Sequence, residues 1–212
     1  MFRYKLIILM LISTISYGQR PMSRLLFKSA PSVPAVTWNP SAKGANVTLS
    51  NSNLSQDNVA GAGSVRATKA VAVGLKVAWE IYLDNIGGNP TIGIDDGSGN
   101  LTSYTGSDSH GWGFYYPFTQ VYHSGSPTST NIGASTGQVI TVAVDLVSNT
   151  VTFYVNGATV TPSFSISHVP YYPAAGAATS GTNKCTARFL SSSFTQTILW
   201  ATLQAAGYVQ LP

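Results

Sequence analysis

The stretch from Gln138 to Gly157, QVITVAVDLVSNTVTFYVNG, constrains the fold of this chain more than any other. Its first half is an apolar run, rich in β-branched residues, of the length of one strand. After a Ser-Asn turn, Val151, Phe153 and Val155 alternate with other residues, as in a strand with one buried face. The Asn-Gly pair at its end tolerates the positive φ angles of a tight hairpin. The pattern predicts antiparallel strands whose buried face requires a second packed layer.

Similar strand patterns recur through the rest of the chain. Of its residues 44% are hydrophobic and only 8% are charged, which excludes disorder driven by charge. Roughly ten to thirteen short strands with frequent turns indicate an all-β sandwich. A turn is predicted at Asn39-Pro40. The side chains predicted to fill the core are Trp79, Trp112, Phe114, Val142, Val144, Phe153 and Val155.

The N-terminus has the pattern of a secretory signal peptide, residues 1–18. Arg3 and Lys5 precede an apolar run of ten residues, and Ser16 and Gly18 are small residues at the −3 and −1 positions of a cut before Gln19. The run is too short to span a bilayer comfortably. The alternative is a hydrophobic N-terminal anchor that is retained, packed inside an assembly.

Residues 19–36 form a basic, proline-containing linker or docking arm, and residues 37–212 form the sandwich. No acid precedes Asp57, whereas six cations do; from Asp57 onward the chain has five cations and seven acids, a net charge of −2. The sequence pI of about 9.2 therefore reflects the N-terminal segments. A basic face for nucleic acid is not supported, and the arm could make self-assembly or virion contacts.

The acids, histidines and single cysteine show no catalytic or metal-binding pattern. A glycosidase needs two facing carboxylates, but Glu80 lies mid-strand and the neighbouring Asp95 and Asp96 point to opposite faces. The loop from Asp95 to Asn100 is oxygen-rich, yet it lacks the glutamate that closes a calcium loop and is typical of a turn. Cys185 is predicted to be a small core residue. We therefore expect no enzyme activity, no cofactor and no metal site.

An aromatic cluster occupies the twenty residues from Tyr104 to His123. One strand face cannot bury so many rings, so some should be exposed, and amphipathic rings are common at binding surfaces. Nearby glycines and a proline place these side chains at turns on a sheet edge. The residues predicted to contact a partner are Tyr104, Asp108, His110, Tyr115, Tyr122 and His123.

Between about Thr37 and Pro212 a series of motifs occurs in a fixed order: Trp38-Asn39-Pro40, Lys43 to Ser50, Val65 to Lys69, Trp79-Glu80, Ile92-Gly93-Ile94, Tyr104-Thr105-Gly106, Gly111 to Tyr115, Gln138 to Ile140, Asp145-Leu146, Thr152-Phe153-Tyr154, Asn156-Gly157 and Tyr171 to Ala174. In this order the motifs resemble the SPRY domain, in the version common in bacterial and phage proteins. The resemblance implies a concanavalin-A-like bent sandwich of two antiparallel sheets that grips protein partners through edge loops, without catalysis. Two positions depart from the family pattern: Val77 replaces a frequent aromatic, and Arg188-Phe189-Leu190 replaces Asn-Phe-Gly.

These observations favour a non-catalytic interaction module outside the cytoplasm, secreted or on the cell surface, that recognises a protein or a cell-surface glycan. The first alternative is a phage virion component, such as a head decoration, fibre or tail protein. The second is a lectin-like carbohydrate-binding protein or a glycan-active enzyme, suggested only by analogy of fold.

We predict that export from the native host is accompanied by cleavage between Gly18 and Gln19, because charged, apolar and small-residue regions follow one another in the required order. Mass spectrometry of the mature N-terminus measures this. Retention of residues 1–18 in the functional protein would instead support the anchor.

Overall fold

The computed structural model describes residues 35–211. The predicted signal peptide or anchor, residues 1–18, and all but the last two residues of the predicted arm, residues 19–36, lie outside the described residues. Val36, at the end of the arm, is only 3% exposed and packs within the hydrophobic core. Between residues 35 and 211, no helix has both the length and the apolar character needed to cross a membrane.

Two antiparallel sheets form a sandwich, which confirms the predicted fold class. Sheet I contains, in spatial order, β1 (Trp38–Lys43), β4 (Gly63–Ala67), β14 (Tyr172–Ala177), β6 (Pro90–Asp95), β7 (Gly111–Tyr115), β8 (Gln120–His123) and β9 (Ser126–Ser129). Sheet II contains β12 (Ala158–Thr159), β11 (Thr150–Val155), β10 (Val139–Asp145), β5 (Lys76–Asn85), β15 (Asn183–Arg188), β3 (Ser55–Asn58) and β2 (Val47–Ser50). In sheet II, β13 (Phe164–Ser165) also pairs with β11, and β16 (Val209–Gln210) runs parallel to β5.

The predicted hairpin from Gln138 to Gly157 lies in sheet II as β10 and β11, with Val142 opposite Phe153. Asn156 and Gly157 have φ angles of 46° and 85°, the left-handed pair that a tight hairpin turn into β12 requires. The Asn156 side chain also accepts a hydrogen bond from the backbone N–H of Val139, at 2.9 Å. This asparagine therefore both shapes the turn and joins it to the neighbouring strand.

Asp145 fixes the other end of the same hairpin. Its Oδ1 accepts hydrogen bonds from the backbone N–H groups of Val147 and Ser148, and its Oδ2 lies 3.0 Å from Lys76 Nζ. Burial alone would raise the pKa of this carboxyl, but the hydrogen bonds from Ser148, Lys76 and Val147 lower its pKa to about 2. The carboxylate is thus a structural part of the turn.

The core lies between the two sheets and is built from side chains that alternate inward along their strands. Trp79 and Phe153 from sheet II, and Phe114 from sheet I, are fully buried. The rings of Phe114 and Phe153 are 5.4 Å apart, and this contact joins the two layers. Val142 and Val144 are fully buried and Val155 nearly so.

Two aromatic residues differ from the expected distribution. Trp112 is only partly buried and packs against the margin of the core. Tyr116 follows β7 in a short 3-10 turn and is fully buried, with its hydroxyl 3.5 Å from Asn183 Oδ1. Burial raises its pKa well above the usual value.

Helix α1 (Thr197–Ala205), which the sequence patterns did not predict, lies against the outer face of sheet II. Leu203 packs with Ala78 and Ala143, small residues on the outer faces of β5 and β10. The segment leading into the helix is held by Glu80, which is only 1% exposed and accepts hydrogen bonds from the backbone N–H groups of Thr195 and Gln196. As a result, all seven residues of β10 are buried.

The turn predicted at Asn39-Pro40 is wrong, because both residues lie inside β1. The strand accommodates the proline through an irregularity: its pairing with β4 shifts register between Trp38 and Lys43. The Asn39 side chain accepts a hydrogen bond from the N–H of Ser41 within this region. β1 is the outer strand of sheet I, where a missing ladder donor is tolerated.

The opposite edge of sheet I, strand β9, also carries a proline. Thr130 N–H donates to the Thr119 carbonyl, so by antiparallel alternation Thr128 and Ser126 direct their N–H groups toward β8. Pro127 then occupies a position whose backbone nitrogen faces the open edge. Because proline has no N–H to offer, this edge is protected against pairing with another strand.

Replacing Phe153 with alanine should lower the free energy of unfolding by about 3–5 kcal/mol, the range for truncating a buried aromatic. Chemical denaturation measures the change. Val147→Ala is the matched control, since Val147 is 61% exposed in the turn between β10 and β11. Equal stability of the two variants would contradict the role given to Phe153.

Candidate functional site

The loop from Asp96 to His110 joins β6 to β7 and lies across the outer face of sheet I. Glycine makes this close approach possible, because a Cβ atom on Gly113 would overlap the Thr105 carbonyl oxygen. The loop is fixed to the turn after β8 by hydrogen bonds from Ser124 N–H to Asp108 O and from Gly125 N–H to Gly106 O, 2.8 and 3.1 Å long. Tyr104 is thereby held above the sheet.

Three tyrosines meet on this outer face. Phe114 and Val121 point into the core, so the alternation of β7 and β8 directs Tyr115 and Tyr122 outward. The Tyr122 ring is 5.5 Å from that of Tyr104 and 5.7 Å from that of Tyr115, with both pairs close to perpendicular. Edge-to-face packing of this kind is a favourable arrangement for aromatic rings.

Phe118 extends the cluster. Its ring stacks on Tyr115 with centroids 4.7 Å apart, and the residue is 55% exposed. It follows Pro117 in the 3-10 turn, which ends at Thr119 with a φ of 51°. We call the four rings of Tyr104, Tyr122, Tyr115 and Phe118 the aromatic row.

A small cavity of about 150 Å³ opens beside the aromatic row. Thr91 is buried, and its hydroxyl has no hydrogen-bond partner among the described residues. Burial raises the pKa of Tyr104 and of Tyr115, as do the neighbouring tyrosines, so both phenols stay neutral at physiological pH. The residues that line the cavity carry no charge: Asn89, Thr91, Tyr104, Tyr115, Tyr122 and Ala178.

Asp108 and His110 belong to a separate polar group within the loop. His110 Nδ1 lies 2.9 Å from Asp96 Oδ2, and this hydrogen bond, together with the charge of Asp96, raises the pKa of His110. Asp108 accepts hydrogen bonds from the backbone N–H groups of Asn100 and His110. These contacts shape the loop, and neither side chain lines the cavity beside the aromatic row.

His123 lies on the opposite face of β8 from Tyr122. Its ring stacks on Trp112 at a centroid distance of 4.0 Å, and its Nδ1 is 2.9 Å from the Gly111 carbonyl. The structure therefore divides the six residues predicted to contact a partner into three groups. Only Tyr104, Tyr115 and Tyr122 form one surface.

The oxygen-rich turn after β6 uses its carboxylates for structure. Asp95 Oδ1 lies 2.9 Å from Arg66 Nη1 and accepts the Gly97 N–H, while Asp96 Oδ1 accepts the Ser98 N–H. Across residues 35–211, no group of three or more His, Cys, Asp or Glu side chains is placed to hold a metal ion.

Cys185 is fully buried, and burial raises the pKa of its thiol to about 12. A thiol with so high a pKa holds almost no thiolate at neutral pH and is a poor nucleophile.

Sequence reasoning did not identify Phe118, Asn89 or Thr91 as part of this surface. Phe118 could have been identified from the sequence, because it lies within the aromatic cluster. It also follows a proline just after a strand, where a turn is expected. Asn89 and Thr91 could not, since only the pairing of β6 with β7 brings them beneath the tyrosines.

The structure is a β-sandwich of two packed antiparallel sheets, and one sheet carries an aromatic surface beside a loop that is fixed by hydrogen bonds. A sequence model of the SPRY domain matches residues 76–191, more than half of the chain, so the chain belongs to the SPRY domain family. The matched region includes the whole aromatic row. Members of this family are protein-interaction domains, as the resemblance implied.

Solved structures agree on the fold. The SPRY domain of human HERC1 aligns with a TM-score of 0.63 and 20% identity, over 71% of this chain and 96% of that one. The TRIM65 PSpry domain aligns with a TM-score of 0.59 and 18% identity, over 72% and 90% of the two chains. Stonustoxin aligns with a TM-score of 0.57 and 19% identity, over 72% of this chain but 26% of the toxin chain. The comparison with curated proteins gives no match.

Replacing Gly113 with valine should displace the loop from Asp96 to His110, because a Cβ atom cannot share space with the Thr105 carbonyl. Amide hydrogen exchange between residues 96 and 110 should rise at least tenfold. Gly137→Val is the matched control, since a Cβ at Gly137 meets nothing within 4 Å, although its φ of 86° adds local strain. Unchanged exchange in Gly113→Val would show that the loop does not depend on this contact.

Proposed function

We propose that the chain is a non-catalytic protein-binding module outside the cytoplasm, whose partner docks on the aromatic row. The observation that carries the proposal is the row itself: four adjacent rings, one of them 55% exposed, beside a small cavity. Tyrosine and phenylalanine on a rigid scaffold supply large contact area at low entropic cost, and such anchors dominate binding energies.

Two features support a binding function rather than a catalytic one. The strongly buried acids Glu80, Asp95 and Asp145 are each committed to backbone N–H groups and to a cation, which leaves none of them free to act as a general acid or base. The loop that carries Tyr104 is also fixed by hydrogen bonds on both sides of its tip, so the surface is formed before the partner arrives. The location outside the cytoplasm rests on the signal pattern of residues 1–18.

Alanine variants of Tyr122, Tyr115 and Phe118 should each weaken binding to the native partner by roughly thirtyfold, because a desolvated aromatic anchor is worth about 2 kcal/mol or more. His110→Ala should have a much smaller effect, since its ring is hydrogen-bonded to Asp96 and is not part of the row. A photo-crosslinking residue at position 118 identifies the partner, and titration calorimetry then gives each Kd.

The melting temperature of every variant must be recorded beside its Kd. Ile198→Ala is the matched control, because Ile198 is an exposed apolar side chain, 86% accessible, on helix α1 of the other sheet. Unchanged affinity in all three ring variants would place the contact elsewhere. If a glycan binds and its affinity depends on the same three rings, the partner is a glycan and not a protein.

A further inference from the structure

We propose that the aromatic row recognises an extended, proline-containing segment of the partner in the polyproline II conformation. This inference rests on the proposed function and specifies the chemistry of its ligand. One proline ring would enter the cavity beside Tyr104 and Tyr122, and another would lie against Tyr115 and Phe118.

The spacing of the rings suits this conformation. From Tyr122 the row continues in steps of 5.7 Å to Tyr115 and 4.7 Å to Phe118. A polyproline II helix rises about 3.1 Å per residue with three residues per turn, so equivalent side chains recur about every 9 Å. The Tyr122 and Phe118 rings are therefore at most about 10 Å apart, so the row can extend over about one turn of the ligand. Aromatic-lined grooves are a recurring way to bind such segments.

The cavity suits an uncharged ring. Its volume of about 150 Å³ equals that of an apolar protein cavity able to hold one benzene molecule, so a pyrrolidine ring fits. Its lining consists of tyrosine, threonine, asparagine and alanine, and offers no counter-charge to an inserted lysine, arginine or carboxylate. Burying an unpaired charge there would be costly, which disfavours charged anchors.

The polar atoms of the site suit a backbone that has no internal hydrogen bonds. Every carbonyl of a polyproline II segment is available as an acceptor. Thr91 lines the cavity, but its hydroxyl oxygen is enclosed and is therefore not offered to the ligand. The Tyr122 hydroxyl makes only a long bond, 3.3 Å, to Gln120 Oε1 and can turn to a ligand carbonyl.

Strand addition, the other common way to bind an extended peptide, is opposed at the adjacent edge. β9 is the outer strand next to β8, and Pro127 lies directly opposite Tyr122. Its missing N–H faces the open edge and removes a donor that an added strand would need. The partner segment must then be held by its side chains on the face of the sheet, as a proline-rich ligand is.

The probe is a nine-residue peptide of L-proline that is titrated into the full chain. Binding is followed by NMR, through the amide and aromatic resonances of the protein. The matched control is the same peptide of D-proline, which has identical composition but forms a helix of the opposite hand. We expect saturable shifts confined to residues of the row and its loop, and an affinity for the L-peptide at least tenfold higher than for the D-peptide. Phe118→Ala should weaken binding at least tenfold, whereas Ile198→Ala should not change it.

Phe118 is exposed, so its variant tests the site without removing a core residue. Equal binding of the two peptides, or binding unaffected by Phe118→Ala, would overturn the inference as nonspecific adhesion. Absence of shifts up to millimolar peptide would overturn it as well. If the native partner still loses affinity in Tyr122→Ala while L-proline fails to bind, the proposed function stands and only this inference falls. If the affinity of the native partner is also unchanged in Tyr122→Ala, both the proposed function and this inference are wrong.

Discussion

The structure depends on burying both faces of its two central strands, β5 and β10. Their inner faces pack against sheet I, and their outer faces are covered by helix α1 and the segment before it. Glu80 makes this cover possible, because its carboxylate accepts the N–H groups of Thr195 and Gln196 and lies 3.4 Å from Arg188 Nη1. A buried carboxylate with fewer partners would be destabilising, so the acid and the segment it binds require each other.

The two sheets use their outer faces differently. Sheet II covers its centre with its own C-terminal helix, whereas sheet I carries the loop from Asp96 to His110 and leaves the aromatic row partly exposed. Small residues allow both arrangements: Ala78 and Ala143 admit the helix, and Gly113 admits the loop. Because the loop is held by hydrogen bonds to the turn after β8, we expect this surface to change little if a partner docks on it.

The sequence was sufficient to predict the all-β sandwich, since strand periodicity and an Asn-Gly turn are local signals that act within a few residues. It failed at Asn39-Pro40, where the outer position of β1 overrides the local preference of proline, and at α1, whose stability comes from packing on β5 and β10. The aromatic cluster was visible in the sequence. The division of the predicted contact residues into three groups depends on the face of β8 from which each side chain projects. It also depends on the pairing of strands that are distant in sequence. Neither is a local property of the sequence.

The absence of charge in the lining of the cavity determines how binding there responds to its surroundings. Attraction between opposite charges accelerates association, and salt screens this attraction. A surface built from neutral rings gains little from such attraction, so salt has little effect on it. If a partner docks on this surface, we expect it to associate at the rate of unassisted docking and its affinity to be governed by how slowly the complex dissociates. A binding surface of this kind is expected to keep its affinity across wide changes of ionic strength.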